Sequence, residues 1–209
     1  MCYNARVPTL ITAIVPAAGL STRMGGDVSK PLLPWGKGTV VEQVVSTLFA
    51  AGVPDVVVVT GHRREAVEAT LAAYPVRCVF NPAFANGEML ASLQAGLRAV
   101  PPEQAGALFA LADQPQMEPE IVTKVLQAFA SGGSQAIVVP SYQMRRGHPI
   151  LLPRWLWQEV LDLAPGDSLR SVINRHAAAI QHLVVDTPTV LADVDTPTQY
   201  QQALSEQRT

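Results

Sequence analysis

The sequence predicts a single α/β domain, a mostly parallel twisted sheet with helices on both faces, and three observations carry the prediction. Apolar runs alternate with segments of helical periodicity over the first two-thirds of the 209 residues. Such alternation with short connections sets successive strands parallel, with the helices as crossovers. Val56–Thr60 is a continuous β-branched run, the mark of a strand covered on both faces. The first run, Ile11–Val15, breaks at Pro16 and empties into a loop of small residues, where a sheet of this kind holds its ligands.

Taken in order, Ile11–Val15 is the first strand. Val40–Ala51 has apolar residues at helical spacing and stops at Gly52 and Pro54. The strand Val56–Thr60 leads to a helix over Arg64–Ala73, a strand over Val76–Phe80 and a helix over Glu88–Val100, ended by Pro101-Pro102. Ala107–Leu111 is another buried strand, and Pro119 opens a helix at its favoured first turn, running to about Ala130. The loops after Val15, Thr60, Phe80 and Leu111 are expected to line one edge of the sheet.

Beyond the strand Ala136–Pro140 the rhythm changes. Ser141–Gly147 is polar and basic, Pro149–Leu152 is a short strand, helices are expected at Arg154–Leu163 and Ser168–Ala178, and Ile180–Val185 is a strand. Residues 10–140 are thus expected to form a ligand-binding half. Residues 141–195 are expected to fold back onto the sheet edge as an insertion, and 196–209 to close the chain with a helix after Thr196-Pro197.

Composition narrows the classes. With 48% hydrophobic and 15% charged residues the chain can bury one sizeable core, and a net charge of −2 gives no reason to expect nucleic acid or a membrane surface as partner. Two cysteines, Cys2 and Cys78, are too few for a disulfide framework, and Cys78 is expected to be a buried, inert thiol. Arg6 precedes an apolar run ending in Ala17-Ala18, but the run holds Thr12 and Pro16 and suits a strand better than a secretion signal. No stretch approaches the roughly 20 apolar residues of a membrane span, so a cytoplasmic protein is expected.

The chemistry gathers in a few places. The chain has three lysines, Lys30, Lys37 and Lys124, and Lys30 closes the loop after the first strand, which also carries Gly19, Arg23, Gly25 and Gly26. Glycines allow close backbone approach, Arg23 offers a planar fork and Lys30 a movable point charge, a set suited to phosphate. The loop has neither the Gly-Lys-Ser/Thr of a Walker A loop nor a Gly-x-Gly-x-x-Gly fingerprint. Asp113, in Leu111-Ala-Asp-Gln-Pro115, follows a buried strand and suits Mg²⁺ held against substrate phosphates, though an Asp before proline also suits a plain turn. Asp195, in Asp193-Val-Asp-Thr-Pro197, divides between capping the last helix and a second carboxylate for the metal, with Asp193 behind it. His148, in Arg145-Arg-Gly-His-Pro149, with Arg146, is placed to meet an anionic second substrate, or lies in a solvated basic turn. Asn81 and Ser92 flank a third loop, where Asn81 suits a nucleobase and both suit turns or caps. His62 lies on the ligand edge or starts a helix, and His176 and His182 are read as structural.

Together, Pro16-Ala-Ala-Gly-Leu-Ser-Thr-Arg-Met-Gly25, Asn81…Gly87…Ser92-Leu-Gln-Ala-Gly-Leu97, Leu111-Ala-Asp-Gln-Pro115, Arg146-Gly-His-Pro149 and Asp193-Val-Asp-Thr-Pro197 resemble the MobA-like nucleotidyltransferases, most of all the molybdenum cofactor cytidylyltransferases. The resemblance spans nearly the whole chain. It implies a Rossmann-like nucleotidyltransferase fold and an Mg²⁺-dependent transfer of CMP from CTP to molybdopterin cofactor, with a molybdoenzyme or its chaperone as a further partner. On it, Ala17, Ala18, Gly19, Arg23 and Lys30 hold the nucleotide, Asp113 binds Mg²⁺ and His148 sits near the second substrate. The double alanine before Gly19 looks like the cytidine-using members.

One departure concerns the acceptor. Gly26-Asp-Val-Ser29 separates Lys30 from Arg-Met-Gly25 by more residues than those enzymes use, a spacing similar to that of methylerythritol-phosphate cytidylyltransferases. Their proline before and glutamine after the lysine are replaced here by Ser29 and Pro31, and their His-Asp-Ala-Ala/Val-Arg motif is missing. The alternatives are a nucleotidyltransferase with methylerythritol phosphate, a sugar phosphate or a guanylyl-transfer reaction, an NAD(P)-type oxidoreductase, and a non-catalytic cofactor-binding protein.

Overall fold

A computed structural model describes residues 10–25, 28–86 and 89–207. Strands are β1 (Ile11–Pro16), β2 (Pro34–Trp35), β3 (Gly38–Thr39), β4 (Asp55–Thr60), β5 (Arg77–Phe80), β6 (Gly106–Phe109), β7 (Ile137–Tyr142), β8 (Arg145–Arg146), β9 (Ile150–Pro153) and β10 (Ile180–Val184). Helices are α1 (Val40–Ala50), α2 (Arg64–Thr70), α3 (Met89–Arg98), α4 (Pro119–Ser131), α5 (Trp157–Leu161), α6 (Leu169–Arg175) and α7 (Pro197–Gln207). The main sheet runs β10-β7-β9-β6-β1-β4-β5, with β8 on β7, while β2 and β3 form a small hairpin of their own. Pairs β6-β1, β1-β4, β4-β5 and β7-β10 are parallel, so this is the mostly parallel α/β sheet that the alternation predicts.

Side-chain alternation sorts each strand between two cores. Ala13, Val15, Val56 and Val58 face the layer of α1, α2 and α4 with Leu48, Val67 and Phe129, whereas Ile14, Val57 and Val59 face α3, α5 and α6 with Leu97, Val160 and Val172. Period-two alternation with both faces covered explains the unbroken valine run of β4. Helix α1 is fixed at its start by a capping box, in which Thr39 accepts from the Glu42 N–H while the Glu42 carboxylate accepts from the Thr39 N–H. A third cluster, with Met24, Trp35, Val40, Val194 and Tyr200, ties α7 to the loop after β1. The Tyr200 hydroxyl donates to the Pro34 carbonyl at 2.5 Å across the same join.

Three expectations are corrected. Residues 141–195 do not simply fold back onto an edge, because β9 enters the middle of the sheet, antiparallel to both β6 and β7. Ile150–Pro153 is fully buried, and an all-apolar strand needs cover on both faces, which the interior provides. Cys78 is exposed, not buried, because β5 is the edge strand and leaves Arg77, Cys78 and Phe80 open to solvent. The helix expected over Arg154–Leu163 is divided into a 3-10 turn at Arg154–Leu156 and the short α5, and the start expected at Glu88 lies outside the described residues.

Strands β7 and β8 are joined by a two-residue turn, since Tyr142 pairs with Arg145. Both turn residues are left-handed, Gln143 at φ 47° and Met144 at φ 64°, as a type I′ hairpin demands. Neither is glycine or asparagine, so the conformation costs roughly 1–2 kcal/mol per residue. Among the described residues no helix is long and apolar enough to cross a membrane.

Candidate active site

The carboxyl ends of β1, β4, β5 and β6 open on one edge, and the loop after β1 lies there. The Ala17 N–H donates to Val59 and the Ala18 carbonyl accepts from His62, so the loop is stitched to the end of β4. Gly61 permits this approach: a Cβ there would lie 2.5 Å from the Phe84 Cβ and 2.7 Å from the Ala18 Cβ. Gly19 differs, since a Cβ would meet nothing within 4 Å and the space above it is open. Ser21, left-handed at φ 54°, accepts from the Lys30 N–H at 2.9 Å and folds the loop back on itself. A pocket results, walled by Ala17, Ala18, Gly19, Lys30, Ser92 and Asp113 among others. Gly25 closes the turn at φ 76° away from the pocket wall, and Gly26 lies outside the described residues.

Lys30 is the hub. Its ammonium lies 2.7 Å from Asp113 Oδ2 and 2.7 Å from Asp195 Oδ1, and the other Asp195 oxygen accepts from Arg23 at 2.5 Å. Burial alone pulls the Lys30 pKa down, but Asp113 and Asp195 outweigh it and hold it above the usual value. Asp195 is pushed up by burial yet ends below its usual value, because Lys30 and Arg23 favour the anion. Asp193 sits behind the cluster, bound by Gln114 Nε2 at 2.6 Å, and is raised by burial and by the charges of Asp113 and Asp195.

The choice left open for Asp195 is decided against the cap. Thr196 caps α7, its Oγ1 accepting from the Gln199 N–H at 3.3 Å, while Gln199 Oε1 accepts from the Asp195 N–H at 3.2 Å. The Asp195 carboxylate is thereby turned towards Lys30. The Val194 N–H donates to the Asp113 carbonyl at 2.8 Å, fixing the two acidic segments side by side.

Asn81 departs from its expected role at a base. It is 2% exposed, its Oδ1 accepts from the Ala83 N–H at 3.0 Å and its Nδ2 donates to Ser92 Oγ at 3.0 Å. The amide shapes its own turn and positions Ser92, which alone of the two reaches the pocket wall. Asn81→Ala should therefore lower stability by about 1–3 kcal/mol, read by denaturant titration, because buried partners are left unsatisfied.

His148 is also corrected. Its ring is largely buried, which drives its pKa down to about 4 against the opposing charge of Asp113, so it is a neutral imidazole and not part of a solvated basic turn. A depressed histidine destabilises the folded state as pH falls through the window from its ordinary value to about 4. His148→Gln should flatten the loss of stability between pH 6.5 and 4, measured by thermal unfolding across that range. Arg146 donates to Asn174 Oδ1 at 2.7 Å and so leans on α6. Ser21 and Gln114 were missed in the sequence; Gln114 is 1% exposed and follows Asp113 directly, the one signal that pointed to it.

An α/β sheet whose strand ends carry a small-residue loop and a lysine between two carboxylates has the layout of a nucleotidyltransferase. Residues 13–182 match the MobA-like NTP transferase domain, and the chain belongs to that family. It is 30% identical over 191 residues to nicotine blue oxidoreductase of Paenarthrobacter nicotinovorans, covering 89% of this chain and 92% of that one. It is 36% identical over 91 residues to the 2-C-methyl-D-erythritol 4-phosphate cytidylyltransferase of Nocardia farcinica, covering 44% of this chain and 39% of that protein. The crystal structure of Rv0371c from Mycobacterium tuberculosis H37Rv superposes with a TM-score of 0.81 at 28% identity, covering 94% of this chain and 98% of that one. A manganese complex of Rv0371c superposes at 0.78, with the same identity and coverage.

Proposed function

We propose that the protein transfers CMP from CTP to the phosphate of molybdopterin cofactor with release of pyrophosphate, using a divalent cation, Mg²⁺, at Asp113 and Asp195. One observation carries this reading: two carboxylates distant in the chain, Asp113 and Asp195, converge with Lys30 beside a small-residue loop open to a phosphate. The donor set fits such a metal, because hard carboxylate oxygens that already enclose one cationic nitrogen suit an ion that takes one or two carboxylates plus phosphate oxygens. Bound there, the metal would neutralise charge on the triphosphate.

The protein's own residues then do the following. Ala17, Ala18 and Gly19 let the nucleotide approach the backbone closely, and Arg23 and Lys30 receive charge that builds on the departing pyrophosphate. A phosphate oxygen of the acceptor forms the new bond to the α-phosphorus, and the α–β bridging oxygen leaves with its electron pair. The acceptor is already anionic, so alignment replaces a general base. His148, neutral, and Arg146 flank the acceptor side. The similarity to a cytidylyltransferase supports cytidine, as does the Ala17-Ala18 pair. The expected compartment is the cytoplasm, with a molybdoenzyme or its chaperone as recipient of the product.

A second reading is an oxidoreductase, favoured by the 30% identity to nicotine blue oxidoreductase over most of the chain. Against it stand the absent Gly-x-Gly-x-x-Gly and a carboxylate pair that hydride transfer does not need. Each NTP, with Mg²⁺ or with chelator, should be tested for pyrophosphate release against purified molybdopterin cofactor, methylerythritol phosphate and sugar phosphates. CTP with molybdopterin cofactor is expected to be the productive pair. NAD(P)H oxidation without pyrophosphate release from any pair would replace this reading by the second.

A further inference from the structure

The two acidic segments of the site meet along a seam that extends beyond Asp113 and Asp195. At one end Glu118 Oε1 accepts from Thr187 Oγ1 at 2.7 Å and from Thr189 Oγ1 at 2.9 Å. At the other the Val194 N–H donates to the Asp113 carbonyl at 2.8 Å. Between them Gln114 Nε2 donates to Asp193 Oδ1 at 2.6 Å, while its approach to the Val190 carbonyl, 3.5 Å, is at the limit of a hydrogen bond. The Val190 carbonyl already accepts from the His148 N–H at 2.9 Å, so Asp193 is the partner that holds the amide.

Gln114 is an unusual side chain to bury. It is 1% exposed, and among the described residues its Oε1 has no hydrogen-bond partner. An unpaired buried amide oxygen is destabilising, and methionine would fill a similar space without it. What the amide supplies is the donor to Asp193. Gln114 directly follows Asp113, and Asp193 stands two residues before Asp195, so one buried bond joins the segments that carry both carboxylates. Asp193 itself is engaged elsewhere than the cluster. Lys30 divides its ammonium between Asp113 and Asp195. Asp193 borders a separate groove with Gln116, Gln199 and Gln202, whereas Asp113 and Lys30 wall the nucleotide pocket.

Resting on the cation placed above at Asp113 and Asp195, we propose that Gln114 and Asp193 are positioning residues, a buried clamp that fixes how far apart those two carboxylates stand, and that Asp193 is not a ligand of the metal. Mg²⁺ tolerates little departure from its preferred geometry, so the spacing of its carboxylates matters. Partners that hold a metal ligand in place are worth about 10–100-fold in metal affinity. The clamp also has to be a neutral donor. A carboxylate at position 114 would repel Asp193, and an apolar side chain would leave Asp193 without its donor and free to turn towards the cation.

Mn²⁺ titration followed by paramagnetic resonance reads the clamp on the folded protein, and thermal melting reads stability separately. Gln114→Met keeps the volume and removes the donor, so Mn²⁺ affinity should weaken about tenfold or more. Gln114→Glu should do the same by setting two carboxylates against each other. Gln114→Glu/Asp193→Asn reverses the direction of the bond and should return affinity to within about threefold of the original. Asp193→Asn alone keeps an oxygen that accepts from Gln114, so its affinity should also stay within about threefold, unlike Asp113→Asn. Gln94→Met is the control, since Gln94 Nε2 donates to the carbonyls of Val160, Leu161 and Leu163 around the end of α5. It should lower the melting temperature and leave Mn²⁺ affinity unchanged. A tenfold loss in Asp193→Asn would make Asp193 a ligand and overturn the proposal. So would a Gln114→Met protein that melts lower yet binds Mn²⁺ as before, or a folded double variant that recovers no affinity. The expected pattern in a protein that releases no pyrophosphate from any NTP would overturn the transfer reaction and leave the clamp standing. An unmodified protein that binds no Mn²⁺ would overturn both.

Discussion

Lys30→Ala is expected to slow CTP turnover on the order of 10²–10³, the loss typical of removing one preorganised charge from a transition state. Lys30 is 14% exposed and its pKa is held above its ordinary value, so the charge it loses is present throughout the working range. Its raised pKa also contributes stability that is fully present below 10.5 and lost as pH climbs through the folded value. The alkaline limb of a stability profile should therefore be steeper for the unmodified protein than for Lys30→Ala. One outcome separates this residue from the metal site: Lys30 occupies the same two carboxylates as a cation would, so its removal should leave Mn²⁺ affinity unchanged or tighter while activity falls. Turnover within about threefold of the original would dismiss Lys30 from the chemistry.

The second large effect is expected at Asp113. Asp113→Asn keeps the shape and the backbone bond from Val194, and Lys30 keeps Asp195, so the fold should survive. Turnover should nonetheless fall by about 10³ or more, because the carboxylate charge is the part of the donor set that the amide lacks. Titration with Mn²⁺, followed by paramagnetic resonance, should show affinity weakened by at least about tenfold, or about 1.4 kcal/mol. Undiminished metal binding would move the site to Asp195 and Asp193.

Much of this arrangement was legible in the chain. The β-branched runs that became β1 and β4 declared a two-faced sheet, and strand-end logic alone brought the loop with Lys30 and the segment with Asp113 to one edge. What could not be read depends on contacts between distant residues. Asp195 joins Lys30 across 165 positions because a separate apolar cluster docks α7 on the loop, and because Thr196 takes the cap that Asp195 was equally suited to fill. Asn81 turned inward because the hydroxyl of Ser92 sits within reach, a fact of the β5–α3 packing. His148 lost its charge to burial, and burial at a basic turn has no signature in the residues beside it. Cys78 shows the limit of reading burial from an apolar run, since an edge strand carries the same residues with half the cover.

The place of β9 bears on how the chain can be made and cut. Because residues 150–153 lie between β6 and β7, a chain arrested near residue 140 would leave the β6 edge as an open ladder beside the parallel core. Unpaired, apolar edges of that kind recruit other strands, so nascent or truncated forms ending there are candidates for aggregation. Residues 10–140 and 141–195 should then unfold in one cooperative transition, and proteolysis should yield no stable fragment of either.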